Sequence, residues 1–377
     1  MSEIKQGYKQ TKVGIIPEDW EDIKIKDIVK VSQGLQIAID DRFTTPAHNR
    51  VFYITIPFIE GKKEEYIENP KSSTLCKKDD ILVVRTGSGV GKIIRGVEGA
   101  FHNNFFKVKP SDNINIDFFY YFLTSPRVQF LMAKYAGNSA IPDLNHGDFY
   151  SLDFLIPPLK EQEKIAEILT TWDEAITKQT ELLRAKELQK KALMQKLLSG
   201  EVRFDGFSDK WKEVRIDKLF DFKKGQELSK EKLEKNGIFE CILYGELYTT
   251  YSEVISEIKS KTNIKEGIKS KIDDILIPAS TTTSAIDLAI ASTIQKDNVL
   301  IGGDINILRK KTNNINGEFI SKYLTHIKKM EIAKYAQGIT IIHLYSKDFK
   351  HLKIQLPSLP EQQKIAEVLS LADDEIN

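Results

Sequence analysis

The chain carries an internal repeat: KIAEIL at 164–169 returns as KIAEVL at 364–369. Three further pairs occur in the same order in both halves, namely WEDIKIKDIVKVSQG (20–34) with WKEVRIDKLFDFKKG (211–225), DDIL (79–82) with DDIL (273–276), and AKYA (133–136) with AKYA (333–336). Because a repeat of this kind means one structural unit used twice, it constrains the architecture before any element is assigned. The sequence therefore predicts two similar modules.

Each module is predicted to combine strands with helices. The runs DDILVV (79–84) and DDILIP (273–278) are short, apolar and bounded by turn residues, which is typical of buried strands. The segments 115–136 and 316–336 have helical apolar spacing, with a break expected at Pro126 in the first. We therefore expect α/β or α+β modules, stabilised by two cores that 377 residues with 41% hydrophobic content can supply.

The longest periodic segment, 160–199, has no proline or internal glycine and ends at Gly200, a plausible C-cap. At about 1.5 Å per residue it would extend roughly 60 Å, which is too long for one module to cover. It is predicted to join the modules as a rod. An imperfect 4-3 seam runs along it, formed by Ile165, Leu169, Trp172, Ile176, Leu183, Leu193 and Leu197.

These patterns give four expected segments. They are a first module at 1–159, a spacer helix at 160–200, a second module at 201–360, and the start of a second spacer helix at 361–377.

The composition and charge of the chain argue against several classes of protein. A net charge of +1 argues against one broad basic face, so a nucleic-acid surface would require segregation of charge within the chain. Cys76 and Cys241 lack metal or disulfide spacing and are expected to be buried free thiols. The sequence has no apolar run of membrane length and no apolar stretch behind its charged start, so we expect neither a span nor a signal peptide, and a cytoplasmic protein.

No catalytic or metal motif is found. TGSGVGK (86–92) fails the P-loop pattern, because Thr86 stands where glycine is required, and Lys92 breaks the dinucleotide fingerprint. The turn can still offer backbone N–H groups and Lys92 to a phosphate, and a plain hairpin turn is the open alternative. The six histidines form no HExxH, and GxSxG is absent. We therefore expect a chain that is not an enzyme and binds no metal.

Loops at equivalent places differ between the modules. RTGSGVGK (85–92) corresponds to ASTTTSAI (279–286), and GNSAIPDLN (137–145) corresponds to QGITIIHLY (337–345). Since loops rather than scaffolds hold recognition residues, two modules that bind two different ligands are indicated. Ordinary drift of loops after a duplication is the alternative.

The repeated segments resemble a known family, the specificity (S) subunits of type I restriction-modification systems. The resemblance is carried by IPPLKEQEKIAEILTTWDEAI (156–176), LPSLPEQQKIAEVLSLADDEI (356–376), LMQKLLSGEVRFDGFSDKWKEVRI (193–216) and GYKQTKVGIIPEDWEDIKI (7–25). Together these segments extend over nearly the whole chain.

The resemblance implies two target-recognition domains, each docking on one half of a split, asymmetric sequence in double-stranded DNA. It implies long helices that pair as an antiparallel coiled coil and act as a ruler. Two methyltransferase (M) subunits that bind S-adenosylmethionine and methylate adenine would be held by them, and restriction (R) subunits would join. ATP and Mg are likewise expected on partner subunits, with no cofactor on this chain. The alternative is a two-module scaffold without DNA specificity.

The resemblance and the differing loops together indicate DNA contacts. Lys92 and Arg95 flank the glycine-rich turn and are expected to contact phosphates. Arg85, Asn138 and Asn145 suit hydrogen bonds to base edges. The full expected set is Arg85, Thr86, Ser88, Gly89, Lys92, Arg95, Asn138, Ser139, Asn145, Thr281, Thr282, Thr283, Ser284, Gln337, Thr340, His343 and Tyr345.

The seven seam residues are expected to contact the second helix or an M subunit. The family's second helix is about as long as its first, so the resemblance implies that the helix beginning near Glu361 is cut short, with 17 residues against the 39 from Glu161 to Ser199. Such a short helix would leave Trp172 and its neighbours uncovered, and an uncovered apolar stripe invites a partner. Self-association of two copies is therefore a further expectation.

Overall fold

A computed structural model describes residues 4–87, 89–137, 139–226 and 228–376. The chain divides into two compact units, residues 1–178 and 179–377. The division falls inside the long helix, which runs from Leu159 to Ser199 and matches the predicted spacer to within one residue. Among the described helices, none combines the length and apolar character that crossing a bilayer requires.

The first unit contains short strands and helices. Its strands are β1 (Tyr8–Gln10), β2 (Ile15–Pro17), β3 (Glu21–Lys24), β4 (Val29–Gln33), β5 (Arg50–Ile54), β6 (Glu65–Glu68), β7 (Leu75–Cys76), β8 (Ile81–Val84), β9 (Ile93–Ile94), β10 (Gly99–Phe101), β11 (Phe105–Pro110) and β12 (Asp153–Ile156). Its helices are α1 (Ile56–Ile59), α2 (Ile116–Thr124), α3 (Pro126–Ala136), α4 (His146–Tyr150) and the beginning of α5 (Leu159–Ser199).

Two four-stranded sheets form the body of this unit, in the orders β6-β5-β10-β7 and β4-β11-β8-β9. Two-stranded pairs β1-β2 and β12-β3 complete it. The predicted break at Pro126 is confirmed, because α2 ends at Thr124 and α3 begins at the proline. Proline is tolerated at a first helical position, where its missing N–H would have no partner.

The second unit repeats this plan. Its strands are β13 (Lys212–Arg215), β14 (Phe220–Lys224), β15 (Phe239–Ile242), β16 (Val254–Ile255), β17 (Ser260–Thr262), β18 (Asp274–Pro278), β19 (Ser280–Thr281), β20 (Ser292–Ile294), β21 (Leu300–Ile301), β22 (Ile305–Lys310), β23 (Ile342–His343) and β24 (Lys353–Leu356). After the end of α5, its helices are α6 (Ile216–Leu219), α7 (Glu246–Thr249), α8 (Gly317–His326), α9 (Lys329–Ala333), α10 (Ser346–Phe349) and α11 (Leu359–Asp374).

The sheets of the second unit are β14-β22-β18-β20-β16, β17-β15-β21, β13-β24 and β19-β23. The helix predicted over 316–336 was expected to reach the end of AKYA, and this is wrong: it is broken after His326, and α9 ends at Ala333. The cause lies just beyond, where Gln337 and His343 exchange backbone hydrogen bonds of 2.8 and 2.7 Å. That pairing needs extended backbone, so the helix must stop earlier than α3 does.

The strands that begin within the two DDIL segments lie inside the sheets of each unit and are buried on both faces. In β8, Ile81 and Val83 face one apolar cluster, while Leu82 and Val84 face another. In β18, Ile275 and Ile277 face one cluster and Leu276 the other. Burial on both faces explains why these segments read as continuous apolar runs and not as alternating patterns. Both predicted strands are confirmed.

The repeated Glu-Gln pair secures the start of a helix in each unit. Gln162 accepts the Asn115 N–H at 2.8 Å and donates to the Pro157 carbonyl at 2.9 Å. Gln362 accepts the Asn316 N–H at 3.0 Å and donates to the Pro357 carbonyl at 3.0 Å. Both glutamines are buried, and their bonds satisfy a buried proline carbonyl and a partly buried asparagine N–H in each unit.

The neighbouring glutamates bind the repeated tryptophans. The Trp20 indole N–H donates to Glu161 at 3.0 Å, and that of Trp211 donates to Glu361 at 3.2 Å. Glu361 also accepts two hydrogen bonds from Arg203, at 2.7 and 2.8 Å. Each tryptophan immediately precedes a strand, β3 or β13, so the sequence repeat marks a repeated hydrogen bond between the start of that strand and the last helix of its unit.

Within the second unit, α11 runs antiparallel to the end of α5. Leu197, Ile365 and Leu369 are buried in one cluster, with Leu193 and Val368 packed against it. Lys186 pairs with Glu375 at 2.7 Å near one end of this contact, while the Arg203–Glu361 pair lies at the other. The predicted antiparallel helix pair is therefore present, formed by the last turns of α5 and the whole of α11.

The two cysteines are buried free thiols, as predicted. Burial raises the pKa of Cys76 and of Cys241 to about 11. Such thiols remain protonated and unreactive at neutral pH.

Candidate nucleic-acid interface

The two candidate loops of the first unit meet at the end of β8. The Leu144 N–H donates to the Arg85 carbonyl at 2.9 Å, and the Gly87 N–H donates to the Pro142 carbonyl at 3.0 Å. The Arg85 N–H donates to the carbonyl of Asn104, in the turn between β10 and β11, at 2.7 Å. Three segments that are distant in sequence are therefore held together by main-chain atoms.

The second unit holds its loops with the same bonds. The Leu344 N–H donates to the Ala279 carbonyl at 2.9 Å, and the Ala279 N–H donates to the Asp304 carbonyl at 2.7 Å. Where Thr86 forms a bridge with Asp143, β19 pairs with β23 through Ser280 and His343. We call this set of matching backbone contacts the loop frame.

The loop frame assigns equivalent positions and shows how they differ. The pairs are Arg85 with Ala279, Thr86 with Ser280, Asn104 with Asp304, Asp143 with His343, and Asn145 with Tyr345. Their side chains differ in charge, size and hydrogen-bonding capacity. The two units therefore present different functional groups on loops with equivalent backbone contacts.

A cleft of about 440 Å³ opens beside the loop frame of the first unit. Its lining includes the predicted residues Thr86, Gly89 and Lys92, together with Gly87, Val84, Asn104, Ile141 and three residues around α1, Ile56, Ile59 and Glu60. Positive φ angles at Gly87 (93°) and Gly91 (83°) shape the turn, which is a hairpin turn and not a helix-borne phosphate loop. Lys92 is exposed at its edge.

Two of the predicted base-reading residues already have partners. Arg85 binds Asp143 through two hydrogen bonds, at 2.9 and 3.2 Å, and both side chains are partly exposed. Asn145 accepts the Asp148 N–H at 2.9 Å and so caps α4. Because a guanidinium has five N–H donors and Asp143 accepts from two of them, Arg85 can still donate to a base edge while this pair persists.

The other predicted residues of the first unit do not line the cleft, or they are residues that the structure does not describe. Arg95 pairs with Asp117 and lies over the ring of Tyr120, at 5.6 Å from the centroid, and does not line the cleft. The Ser139 hydroxyl donates to the Ile141 carbonyl at 2.7 Å. Ser88 and Asn138 lie outside the described residues.

A larger cleft, of about 590 Å³, opens beside the loop frame of the second unit. It is lined by the predicted residues Thr281, Thr282, Thr283 and His343, and by Tyr244, Tyr248, Ser280, Asp287, Ile290, Asp304 and Ile341. The Tyr248 hydroxyl donates to the Ser280 carbonyl at 2.8 Å, and burial raises its pKa, so it remains a donor. This second-unit cleft is rich in hydroxyl groups and contains no arginine.

The remaining predicted residues of this unit form its rim. Ser284 and Thr283 donate to Asp287, and these hydrogen bonds lower the pKa of that carboxyl group. The rings of His343 and Tyr345 stack with centroids 5.7 Å apart. Gln337 contributes its backbone to the frame, and Thr340 is exposed nearby.

Sequence reasoning missed Asn104, Asp304, Tyr244 and Tyr248. Asn104 and Asp304 occupy the third position of HNNFF (102–106) and of GGDIN (302–306), and the repeat aligns these two segments. A position-by-position comparison of the two halves could therefore have found them. The tyrosines lie in and beside the single turn of α7, which has no periodic signal.

The seven predicted seam residues of α5 lie in three different environments. Leu193 and Leu197 lie in the contact with α11. Ile165 packs partly against the first unit's core. Leu169, Trp172, Ile176 and Leu183 are exposed, and 66% of Trp172 is accessible.

Comparison with known proteins places the chain in a family. Residues 17–185 and 208–377 each match the type I restriction modification DNA specificity domain, and the chain belongs to that family. Two curated relatives come from Methanocaldococcus jannaschii. The type I restriction enzyme MjaVIII specificity subunit is 23% identical, and the putative MjaX specificity subunit is 27% identical; each alignment covers 98% of this chain and 90% of the relative.

Solved structures support the fold. The S subunit of a type I restriction-modification system from M. genitalium superposes with a TM-score of 0.58 at 18% identity, covering 95% of this chain and 90% of that one. A chain from a study of complex assembly of the type I R-M system gives 0.55 at 16% identity, covering 96% and 92%. The predicted fold class, two repeated α+β modules with long helices, is thereby confirmed.

Proposed function

We propose that this chain is the DNA-recognition subunit of a type I restriction-modification complex, and that each unit reads one half of a split, asymmetric target. The loop frame is the observation that carries the proposal. Two modules that dock on duplex DNA in the same way need the same backbone, and two modules that read different bases need different side chains on it. Arg85 against Ala279 and Asp143 against His343 meet both requirements.

Methyl transfer and cleavage would belong to the methyltransferase and restriction subunits, which would carry S-adenosylmethionine, ATP and Mg. This chain would supply recognition and assembly, with no cofactor of its own. Family membership supports this division of labour.

The exposed stripe on α5 supports a docking role for that helix. In the second unit, Asp373 binds both Lys322 and Lys190, and Glu361 binds Arg203. At the corresponding place in the first unit, the neutral Tyr121 donates to Asp173, with Thr170 beside it, and Trp172 is exposed. Apolar and acidic side chains lie together there, which suits a methyltransferase subunit that offers an apolar helix with basic residues.

Exchanging modules tests the bipartite proposal. When residues 1–159 are replaced by the first module of another family member, one half-site should change and the other should persist, because each unit has its own cleft and loop frame. The measurement is single-molecule sequencing of methyladenine in cells that also express the methyltransferase partner. The reciprocal exchange of 201–360 should change the other half-site. A change in both halves after one exchange would contradict the proposal, and a wild-type complex without sequence preference would favour the scaffold alternative.

Lys92 provides a second test. Because it is exposed beside the glycine-rich turn, Lys92→Ala should weaken binding of the complex to all duplexes alike. Loss of one phosphate contact should reduce the slope of log affinity against log salt by about one unit. The control is Lys164→Ala, which removes an exposed lysine on α5. A loss confined to one target sequence would mean that Lys92 reads a base.

A further inference from the structure

Asp304 occupies a conformation that few residues accept. Its φ angle is +57°, in the left-handed region, and its carbonyl accepts the Ala279 N–H of the loop frame. A side chain other than glycine costs about 1 kcal/mol or more there, and aspartate and asparagine are among the residues that tolerate it best. The backbone therefore fixes where the Asp304 carboxylate enters the second-unit cleft.

The Asp304 carboxylate has two partners at the cleft and retains free acceptor positions. The Ser280 hydroxyl donates to one oxygen at 3.2 Å, and the Lys224 ammonium lies 3.2 Å from the other. The side chain remains 45% exposed. Since an ionised carboxylate has about four acceptor positions, it can accept at least one more hydrogen bond from a ligand in the cleft.

A carboxylate repels phosphates, so any favourable contact of Asp304 with DNA in the major groove is with a donor on a base edge. In the major groove those donors are the amino groups of cytosine and adenine. Adenine presents its amino group beside the N7 acceptor, which a group that only accepts would face unfavourably. Cytosine presents its amino group without such an acceptor.

We infer that Asp304 determines specificity in the second half-site by accepting a hydrogen bond from the amino group of a cytosine. The inference rests on the proposed function and assigns one residue and one base within it. Asn104, at the equivalent place in the first-unit cleft, can both donate and accept and therefore suits adenine instead.

The test is Asp304→Asn in the full chain, assembled with its methyltransferase subunit. Asparagine keeps the size of the side chain and tolerates the same φ. In the second half-site, one cytosine position should lose at least about tenfold of its discrimination against other bases, the range expected for one base contact. The first half-site should remain unchanged. The matched variant, Asn104→Asp, should change one position of the first half-site only.

The outcomes separate the two proposals. A wild-type motif with two half-sites that Asp304→Asn leaves intact overturns the inference alone. Equal weakening of all sequences by Asp304→Asn also overturns it, since the carboxylate would then only position the loop. A wild-type complex without a bipartite motif overturns the proposed function and the inference together. Competition binding with duplexes altered at single positions provides the quantitative readout.

Discussion

Asp373→Ala is expected to lower the free energy of unfolding of the second unit by about 3–5 kcal/mol, the cost of leaving a buried charge unpaired. Its partner Lys322 is only 2% exposed, with its ammonium 2.6 Å from the Asp373 carboxylate. Removing the carboxylate leaves that buried ammonium without this ion-pair partner. Hydrogen exchange of amides in β22, with those of β11 as the reference for the first unit, measures the loss for each unit separately.

The first unit supplies the matched control for this experiment. The Tyr121 hydroxyl donates to Asp173 at 2.9 Å, at the place that corresponds to the Lys322–Asp373 pair. Because Tyr121 is neutral and Asp173 is exposed, Asp173→Ala should cost only about 1 kcal/mol or less. Adding Lys322→Met to Asp373→Ala should restore much of the stability, since the unpaired ammonium is then removed as well. Equal losses in the two units would contradict this explanation.

Gln362→Ala and Gln162→Ala should each destabilise their own unit by about 2–4 kcal/mol. Each substitution leaves a buried carbonyl and a partly buried backbone N–H without the glutamine partner, at about 1–3 kcal/mol for a fully buried group. The neighbouring residues offer controls: Gln363 and Glu163 are exposed, so their alanine variants should change stability by less than about 0.5 kcal/mol. Exchange of the Asn316 and Asn115 amides reports the effect at the bonds themselves.

A small effect of Gln362→Ala would mean that water replaces the amide. In that case the repeated Glu-Gln pair would owe its recurrence to the glutamate alone. The Trp211–Glu361 and Trp20–Glu161 hydrogen bonds would then be the contacts that hold the starts of the two helices.

The repeat allowed much of this fold to be predicted from sequence. Periodicity and residues with strong local preferences predict the two modules, the strands that begin within DDIL, and the break at Pro126. They also predict the long helix from Leu159 to Ser199. The early end of α9 does not, because it is imposed by backbone pairing between Gln337 and His343, which no local pattern encodes.

The candidate site was predicted in part for the same reason. Loops 85–92 and 137–145 differ from 279–286 and 337–345 in a way that sequence comparison reveals. Asn104 and Asp304 were missed because their turns are brought to those loops by hydrogen bonds between segments that are distant in sequence. Likewise, the ion pair between Arg85 and Asp143 depends on a contact across 58 positions of sequence.

The loop frame has a consequence for how new specificities arise. Since its bonds join main-chain atoms of Arg85, Asn104 and Leu144, the side chains of the first two can change without removing any of them. Surface substitutions of this kind usually alter stability by no more than about 0.5 kcal/mol. Random libraries at positions 85, 86, 104 and 143 should therefore contain mostly folded proteins, and natural selection would face little penalty in sampling targets there. Position 304 is more restricted, because its left-handed backbone admits few residues besides asparagine, aspartate and glycine.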